Sequence, residues 1–463
     1  RIGARKGWEA VSSNGAAVLG SSRGIEAVFE FVKRDGTKIV FSAGNNKIFT
    51  GTSTLAAVTL PGGYSISANN WKIVSFNNDV YFFQRGHAAL VSVAGSTTLI
   101  AVADGGTAAP AANEVLAAYG RLWAADITAN KYVVYWSDLL DGDDWHGGSS
   151  GSLDLTLVWP TGFDEVVALS AHNGFLIIFG KKSMIVYSGA AAPASMTLSD
   201  TIEGIGCIAR DSVQHTGADI LFLSDTGVRS LGRTIQEKSL PLNDLSKNVR
   251  TDLTSLVPLQ TNAIKSLYSA DEAFYLLTLP DSDTTYCFDM RSPLQDGSQR
   301  ATTWSGLHPL AFTTTEAGDI YFGLSSGIVK YSGYLDGTAN YQMRYFSNPM
   351  DFGNASNLKF LKKFNITIIG GQNTNATLNW GYDYSTNFTK QVFTLTGSVN
   401  AGEYGVSEYN TTAEYTATAI INTPKVNTSG SGEIVTIGIE TEINDTAFSI
   451  QKIDIHALLG RLI

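Results

Sequence analysis

Charge and cysteine are what this sequence has least of. Only 16% of its 463 residues are Asp, Glu, Lys or Arg, and the formal net charge is −10. A protein that grips nucleic acid needs a basic face to displace counterions, so the balance argues against that class. It does not argue against a protein that DNA slides past, where weak repulsion would help. Two cysteines, Cys207 and Cys287, stand 80 residues apart in apolar, strand-like runs. They supply neither a disulfide framework nor a metal set, and are expected as small buried hydrophobes. No apolar run reaches the roughly 18–20 residues of a membrane-spanning helix. The sequence opens "RIGARKGW", without Met or a signal-peptide pattern, and residues before Arg1 are expected.

What the sequence does have is glycine, aromatics and apolar residues. Forty-four per cent of residues are hydrophobic, 11% are aromatic and 46 are glycine, the profile of a strand-rich, turn-rich chain. One stretch, "VVALSAHNGFLIIFGKKSMIVYSG" from Val166, contains three short apolar runs separated by two polar turns. Similar units start at Val28, Trp71, Val115, Ala209, Ile264 and Pro309, with steps of 43, 44, 51, 43, 55 and 45 residues. Seven units of this period, each with three or four strands, point to a β-propeller.

The turns fit that reading. Asp35-Gly36, Asn77-Asn78-Asp79, His172-Asn173-Gly174, Thr216-Gly217 and Ala317-Gly318 stand between first and second strands, and such residues tolerate the positive φ of tight hairpins. The second strand is the most apolar each time, as in "DVYFFQ" and "GFLIIFG", which suits a strand buried on both faces. Fourth strands are expected at "SMTLSDTIEG", "RTIQEKSLPL" and "RATTWSGL". The seventh unit has none of its own. The segment Arg5–Ser12, whose Trp8 resembles Trp304, is expected beside Ile328–Tyr331, closing the ring and removing exposed edges. The expected fold class is therefore all-β: a seven-bladed β-propeller over residues 1–340, with 1–12 closing the last blade. An antiparallel, β-sandwich-like domain is expected over 341–463. There Asn and Thr rise, and "EYTATAIIN" and "EIVTIGIETEI" alternate with period two.

Two units carry extra residues. "SDLLDGDDWHGGSSGS" is a candidate docking loop, with Asp138, Trp145 and His146 as contact candidates. "NDLSKNVRTDLTSLVPL" places Leu245, Val249, Leu253 and Leu256 at helical spacing, and the first three of these are further docking candidates. Filling a structural gap explains both insertions equally well. Asp141, Asp143 and Asp144 are weak metal candidates, because Gly142 directly follows Asp141 and breaks the calcium-loop spacing. Seven N-x-S/T sequons, at Asn354, Asn365, Asn375, Asn387, Asn410, Asn427 and Asn444, are what an Asn/Thr-rich chain produces by chance. No H-E-x-x-H, G-x-S-x-G or P-loop occurs. The repeated S-x-D-x-G-x-T-W box of sialidases and the Gly-His/Trp-Asp pairing of WD40 repeats are also missing. The inner strands read as mostly apolar, which counts against an enzyme site on the propeller axis. Neither an enzyme nor a cofactor is expected.

"FDEVVALSAHNGFLIIFGKKSMIVYSG" (163–189), "DSVQHTGADILFLSDTGVRSLGR" (211–233) and "YQMRYFSNPMDFG" (341–353) resemble the nozzle or tail-hub structural proteins of short-tailed bacteriophages. The likeness covers roughly residues 28–355 and consists of packing and turn residues. It implies a virion tail protein assembled in the bacterial host cytoplasm. It further implies a homohexamer with one propeller per subunit around a conduit that retains the genome and then passes it out. The implied partners are an adaptor ring above, tail fibres or spikes, and double-stranded DNA in transit without sequence-specific binding. The alternative is an extracellular carbohydrate-binding or carbohydrate-cleaving propeller. A generic propeller that binds protein partners is a third, weaker reading.

Overall fold

The computed structural model describes residues 2–19, 24–66, 70–160, 162–237, 244–371, 374–396 and 421–462. It divides into two compact units, one of residues 10–330 and one of residues 1–9 with 331–463. Among the described residues both units are built almost wholly of antiparallel strands, so the protein is all-β.

Among the described residues the strands of 10–330 fall into eight successive small sheets, seven of three or four strands, numbered in chain order, and one two-stranded ribbon, Ala103–Asp104 with Thr107–Ala108. The fourth shows the pattern without interruption: Val166–His172, Phe175–Gly180, Ser183–Ser188 and Thr197–Glu203 pair in sequence order. Its first hairpin turns on Asn173 and Gly174, at φ 49° and 83°, where an unbranched polar residue and a glycine avoid Cβ strain. Leu176, Ile178 and Phe179 are sealed because both faces of the second strand are packed, one on the third sheet and one on the fifth. The first strands neighbour one another in order. Ile25–Val32 adjoins Lys72–Phe76, which adjoins Ala112–Ala118, which adjoins Val166–His172. The turn Arg210–Ser212 follows, then Lys265–Ser269 and Ala311–Thr314, and the last returns to Ile25–Val32.

The seventh sheet takes its fourth strand from the start of the chain, in the order Trp8–Ala10, Gly327–Tyr331, Ile320–Leu324, Ala311–Thr314. The Val11 and Ser12 N–H groups donate to the Ile328 carbonyl, and the Ile328 N–H donates to Ser12 Oγ at 3.0 Å. Ile2–Gly3 instead pairs with Ser449–Ile450 in the other unit, so the first dozen residues serve two sheets rather than one. Another difference concerns "RTIQEKSLPL". Leu231–Glu237 is a helix, not a fourth strand, and residues 238–243 lie outside the described set. Leu231 and Thr234 are buried, and Leu231 and Ile235 both pack on the apolar cluster between the fourth and fifth sheets, spacings of three and four residues that a helix provides.

The second unit holds two antiparallel sheets that share one apolar core. One contains the long strands Asn357–Gly370 and Phe448–Leu462; the other orders Tyr341–Phe346, Val435–Ile443, Thr374–Tyr382 and Thr389–Leu395. Leu361, Phe364, Ile366 and Ile368 from the first face Leu378, Trp380, Ile437 and Ile439 from the second. The alternation expected in "EIVTIGIETEI" is this core face. The expected strand "EYTATAIIN" and the sequon at Asn410 fall largely or wholly outside the described residues. Among the described residues no helix is long and apolar enough to cross a membrane.

Candidate functional site

The expectation of apolar inner strands fails where those strands begin. Lys72 opens the first strand of the second sheet, and Asn113 and Glu114 lie near the start of the third sheet's. Arg210 and Asp211 precede the fifth sheet, and Lys265 opens the sixth. Ring topology brings these residues together across chain separations of up to 195 residues.

Asp211 is the hub. Its carboxylate accepts from Arg210 Nη2 at 2.7 Å, Arg210 Nε at 3.0 Å and Lys265 Nζ at 2.7 Å, with Lys72 Nζ at 3.7 Å. Arg210 reaches on to Asn113 Oδ1 at 3.0 Å and Asn70 Oδ1 at 2.8 Å, and Lys265 also donates to Asn70. Glu114 accepts from the Leu169 N–H on one oxygen, while the other faces Lys72 Nζ at 3.5 Å and Arg210 Nε at 3.9 Å without a hydrogen bond. Glu114 is 2% exposed, and Arg210 and Lys265 are each 7% exposed. Burial raises the Glu114 carboxyl above the usual range despite Lys72 and Arg210. Burial also pushes against ionisation of Asp211, but Arg210, Lys265 and Lys72 outweigh it and hold that carboxyl well below the usual range. Two carboxylates with opposed proton affinities thus share one buried cluster, a pairing that can support acid–base chemistry or can lock sheets together. The signal was present in sequence: each charge stands at the opening of its repeat, in "WKIV", "NEVL", "ARDS" and "IKSL".

The insertion between Val133–Trp136 and Gly151–Asp154 is a loop fastened by its own carboxylates. Asp138 accepts from the Ser149 N–H and hydroxyl, at 2.8 and 2.6 Å. Asp141 takes the N–H groups of Asp143 and Asp144, and Asp144 takes those of His146 and Gly147. Trp145 turns inward, its ring edge-on to Phe83 and its N–H on the Gly142 carbonyl. Leu139 and Leu140, 52% and 61% exposed, project instead. The metal candidates separate. Asp144 lies with Asp104 and His146, whose ligand atoms fall within 4.8 Å of one another and could hold an ion, while Asp141 and Asp143 are not in that set. Asp104 comes from the Ala103–Asp104 strand of the preceding connection, too far along the chain for a loop motif to reveal.

The helical spacing in the second insertion is real, with Arg250–Leu256 helical and short 3₁₀ turns on either side. Leu245 and Leu253 are buried among Leu221, Leu277 and Phe288, and Val249 packs partly against the same cluster. Those three residues fill the core between the fifth and sixth sheets, which leaves the two leucines no exposed surface for docking. Cys207 is buried and its thiol is pushed up to about 11 by burial; Cys287 is half-buried and pushed up to about 12. Both are poor nucleophiles at neutral pH, in keeping with a packing role.

No family model matches the chain, and no curated protein does. Several solved structures are similar. The WD40 β-propeller domain of Doa1 matches at 11% identity and TM-score 0.42, covering 70% of this chain and 96% of that one. YCF48 from Cyanidioschyzon merolae matches at 12% identity and TM-score 0.42, covering 70% and 99%. PorZ of Porphyromonas gingivalis matches at 12% identity and TM-score 0.35, covering 68% of this chain and 36% of that one.

Proposed function

We propose that residues 10–330 form a seven-bladed β-propeller and the second unit a β-sandwich, and that the protein is a structural component of a short phage tail. It serves there as the nozzle or hub that retains the genome and then lets it out. The subunits assemble as a ring, a hexamer by the resemblance, below an adaptor and beside fibres or spikes, with DNA passing through unread.

The observation that carries this reading is the mutual pairing of the inner-strand charges. They are paired with one another, with Glu114, Arg210 and Lys265 buried and Asp211 and Lys72 retaining 15% and 28% of their side-chain exposure, so they tie four sheets together and their polar groups are taken up by one another. The motif residues that carry the resemblance do the same kind of work. Asp164, in "FDEVVALS", accepts from the N–H groups of Lys181, Lys182 and Ser183, fixing the "GKKS" turn. A net charge of −10 would not trap DNA in transit. Electron microscopy of the purified protein, or of its virion, tests the proposal. A ring of subunits around an axial channel is expected, and a monomer that hydrolyses glycosides would overturn it.

One observation favours the carbohydrate-cleaving alternative. Glu114 and Asp211, with opposed proton affinities and an arginine between them, are a carboxylate pair of the kind hydrolysis uses. Hydrolysis of aryl glycosides by the native protein, abolished by Glu114→Gln, would establish that reading.

A further inference from the structure

The sixth sheet carries a groove on its outer strands, away from the inner-strand cluster. Thr284 and Tyr286 stand two apart on Thr284–Asp289, and Thr303 and Ser305 two apart on Arg300–Ser305. The register sets Thr284 opposite Ser305 and Tyr286 opposite Thr303. Alternate residues of a strand share a face, so the four form one block of hydroxyls. The helix Arg250–Leu256 lies over them with Asp252, Ser255 and Leu256, three and four residues apart and so on one side. The open groove between them offers about 310 Å³, at the small end for ligand pockets.

The lining is selective by chemistry. It offers one carboxylate, four aliphatic hydroxyls and a phenol, with a single apolar side chain, Leu256. Among the described residues no lysine, arginine or histidine lines it, so an anion finds no partner there, and an apolar ligand finds too little surface. Ser255 and Thr284 donate to the carbonyls of Asp252 and Ser282, which leaves their oxygens free to accept. Tyr286 is the second, independent sign. Its side chain is 2% exposed, its ring stacks on Phe288, and its hydroxyl lines the groove with no hydrogen-bond partner among the described residues. The hydroxyl is therefore free to donate to an acceptor oxygen placed in the groove. Burial, and then the nearby Asp252 carboxylate, raise the phenol, which therefore stays protonated and able to donate at neutral pH.

We propose that this groove binds one uncharged sugar residue of a glycan, with Asp252 accepting its hydroxyl protons and Tyr286 donating to a ring or hydroxyl oxygen. Polyols match because each sugar hydroxyl both donates and accepts, as the lining requires. The site does not depend on ring assembly.

Saturation-transfer NMR on the intact protein tests it. The probes are the methyl glycosides of glucose, galactose, mannose and N-acetylglucosamine, with methyl glucuronide as the anionic counterpart. At least one neutral glycoside is expected to bind at millimolar concentration, and the glucuronide more weakly. Tyr286→Phe and Asp252→Asn should each weaken binding by roughly 3- to 10-fold with melting unchanged, the loss of one hydrogen bond. Should Tyr286→Phe disturb the fold, Asp252→Asn, at an exposed position, decides alone. Failure of all four neutral glycosides to bind, or binding indifferent to the variants, would overturn the proposal. Sugar binding by a ring leaves the nozzle reading standing, whereas a ring without sugar binding sinks only the groove.

Discussion

Replacing Asp211 by Asn removes the charge on which the inner-strand cluster turns while keeping the side chain's shape. In the native protein Asp211 faces Arg210 Nη2 and Lys265 Nζ at 2.7 Å each, and Lys72 Nζ at 3.7 Å. Asparagine keeps one acceptor oxygen but turns its amide hydrogens toward cations. Arg210 and Lys72 would then keep Glu114 as their nearest carboxylate, and Lys265 would lose its ion-pair partner. Breaking a buried ion pair from one side costs about 3–5 kcal/mol, because the partner stays buried and unpaired. Glu114 can take up part of the interaction, worth about 1 kcal/mol, so a net loss of roughly 2–4 kcal/mol is expected. That lowers the melting temperature by about 4–10 °C for a body of this size. Asp211 has a depressed folded-state proton affinity, so its contribution is present above the ordinary carboxylate range and disappears as pH falls through the folded value. The gap between native protein and variant should therefore be full at neutral pH and close only in strong acid. Urea unfolding followed by tryptophan fluorescence measures it. A loss below about 1 kcal/mol, or one that added salt removes, would show that water already screens the cluster and would refute the locking argument.

Glu114→Gln should behave in the opposite sense. Its folded-state proton affinity is raised, so the stability it contributes is greatest below the ordinary carboxylate value and falls as pH rises through the folded value. Near pH 8 the variant should therefore match or exceed the native protein in urea, and acidification should favour the native protein; a variant several kcal/mol weaker at pH 8 contradicts this. Asp164→Ala strips an acceptor from four backbone N–H groups and the Ser183 hydroxyl, and should cost about 3 kcal/mol in denaturant, with Asp164→Asn intermediate. Gly7→Ala would bring its Cβ to 1.8 Å from the Leu335 carbonyl oxygen, so limited proteolysis should cut the first ten residues faster than in the native protein.

The repeat was legible because its punctuation is local. Asn77 and Asn78 sit at φ 48° and 71°, and Gly36, Gly217 and Gly318 all lie above 80°, so turn residues marked every hairpin that the structure contains at those places. The sealed second strands, such as Phe274–Leu279, announced themselves as apolar runs. Other features were decided by surroundings. Leu231–Glu237 reads as a strand to composition, with Leu, Thr and Ile, but Thr234 is buried and its hydroxyl donates to the Ser230 carbonyl, four residues back, as a helix allows. Leu245 and Leu253 look like a docking face until the fifth and sixth sheets are seen to close over them. The exposed pair, Leu139 and Leu140, carries no periodic signal, because a loop held by Asp138, Asp141 and Asp144 has no period.

The cluster around Asp211 escaped for a different reason. Each repeat contributes one or two charged residues, and a single Lys or Glu at the head of a strand looks like an ordinary boundary residue. Only the succession of neighbouring first strands sums them, because it sets the heads of those strands side by side. The sum decides between two roles that use the same groups. A catalytic pair needs one carboxyl that holds a proton, one that does not, and a path for substrate to both. Burial favours the protonated form of Glu114 while its cationic neighbours favour the ionised form of Asp211, but the third condition is opposed by Arg210, which faces both carboxylates and bonds Asn70 and Asn113 as well, and by Lys265, which bonds Asn70 and Asp211. A lock needs the opposite of access: burial makes each ion pair costly to break from one side, and cross-links between the second, third, fifth and sixth sheets make separation of any one expose a charge. The mutual pairing of these groups across four sheets is the arrangement a lock requires.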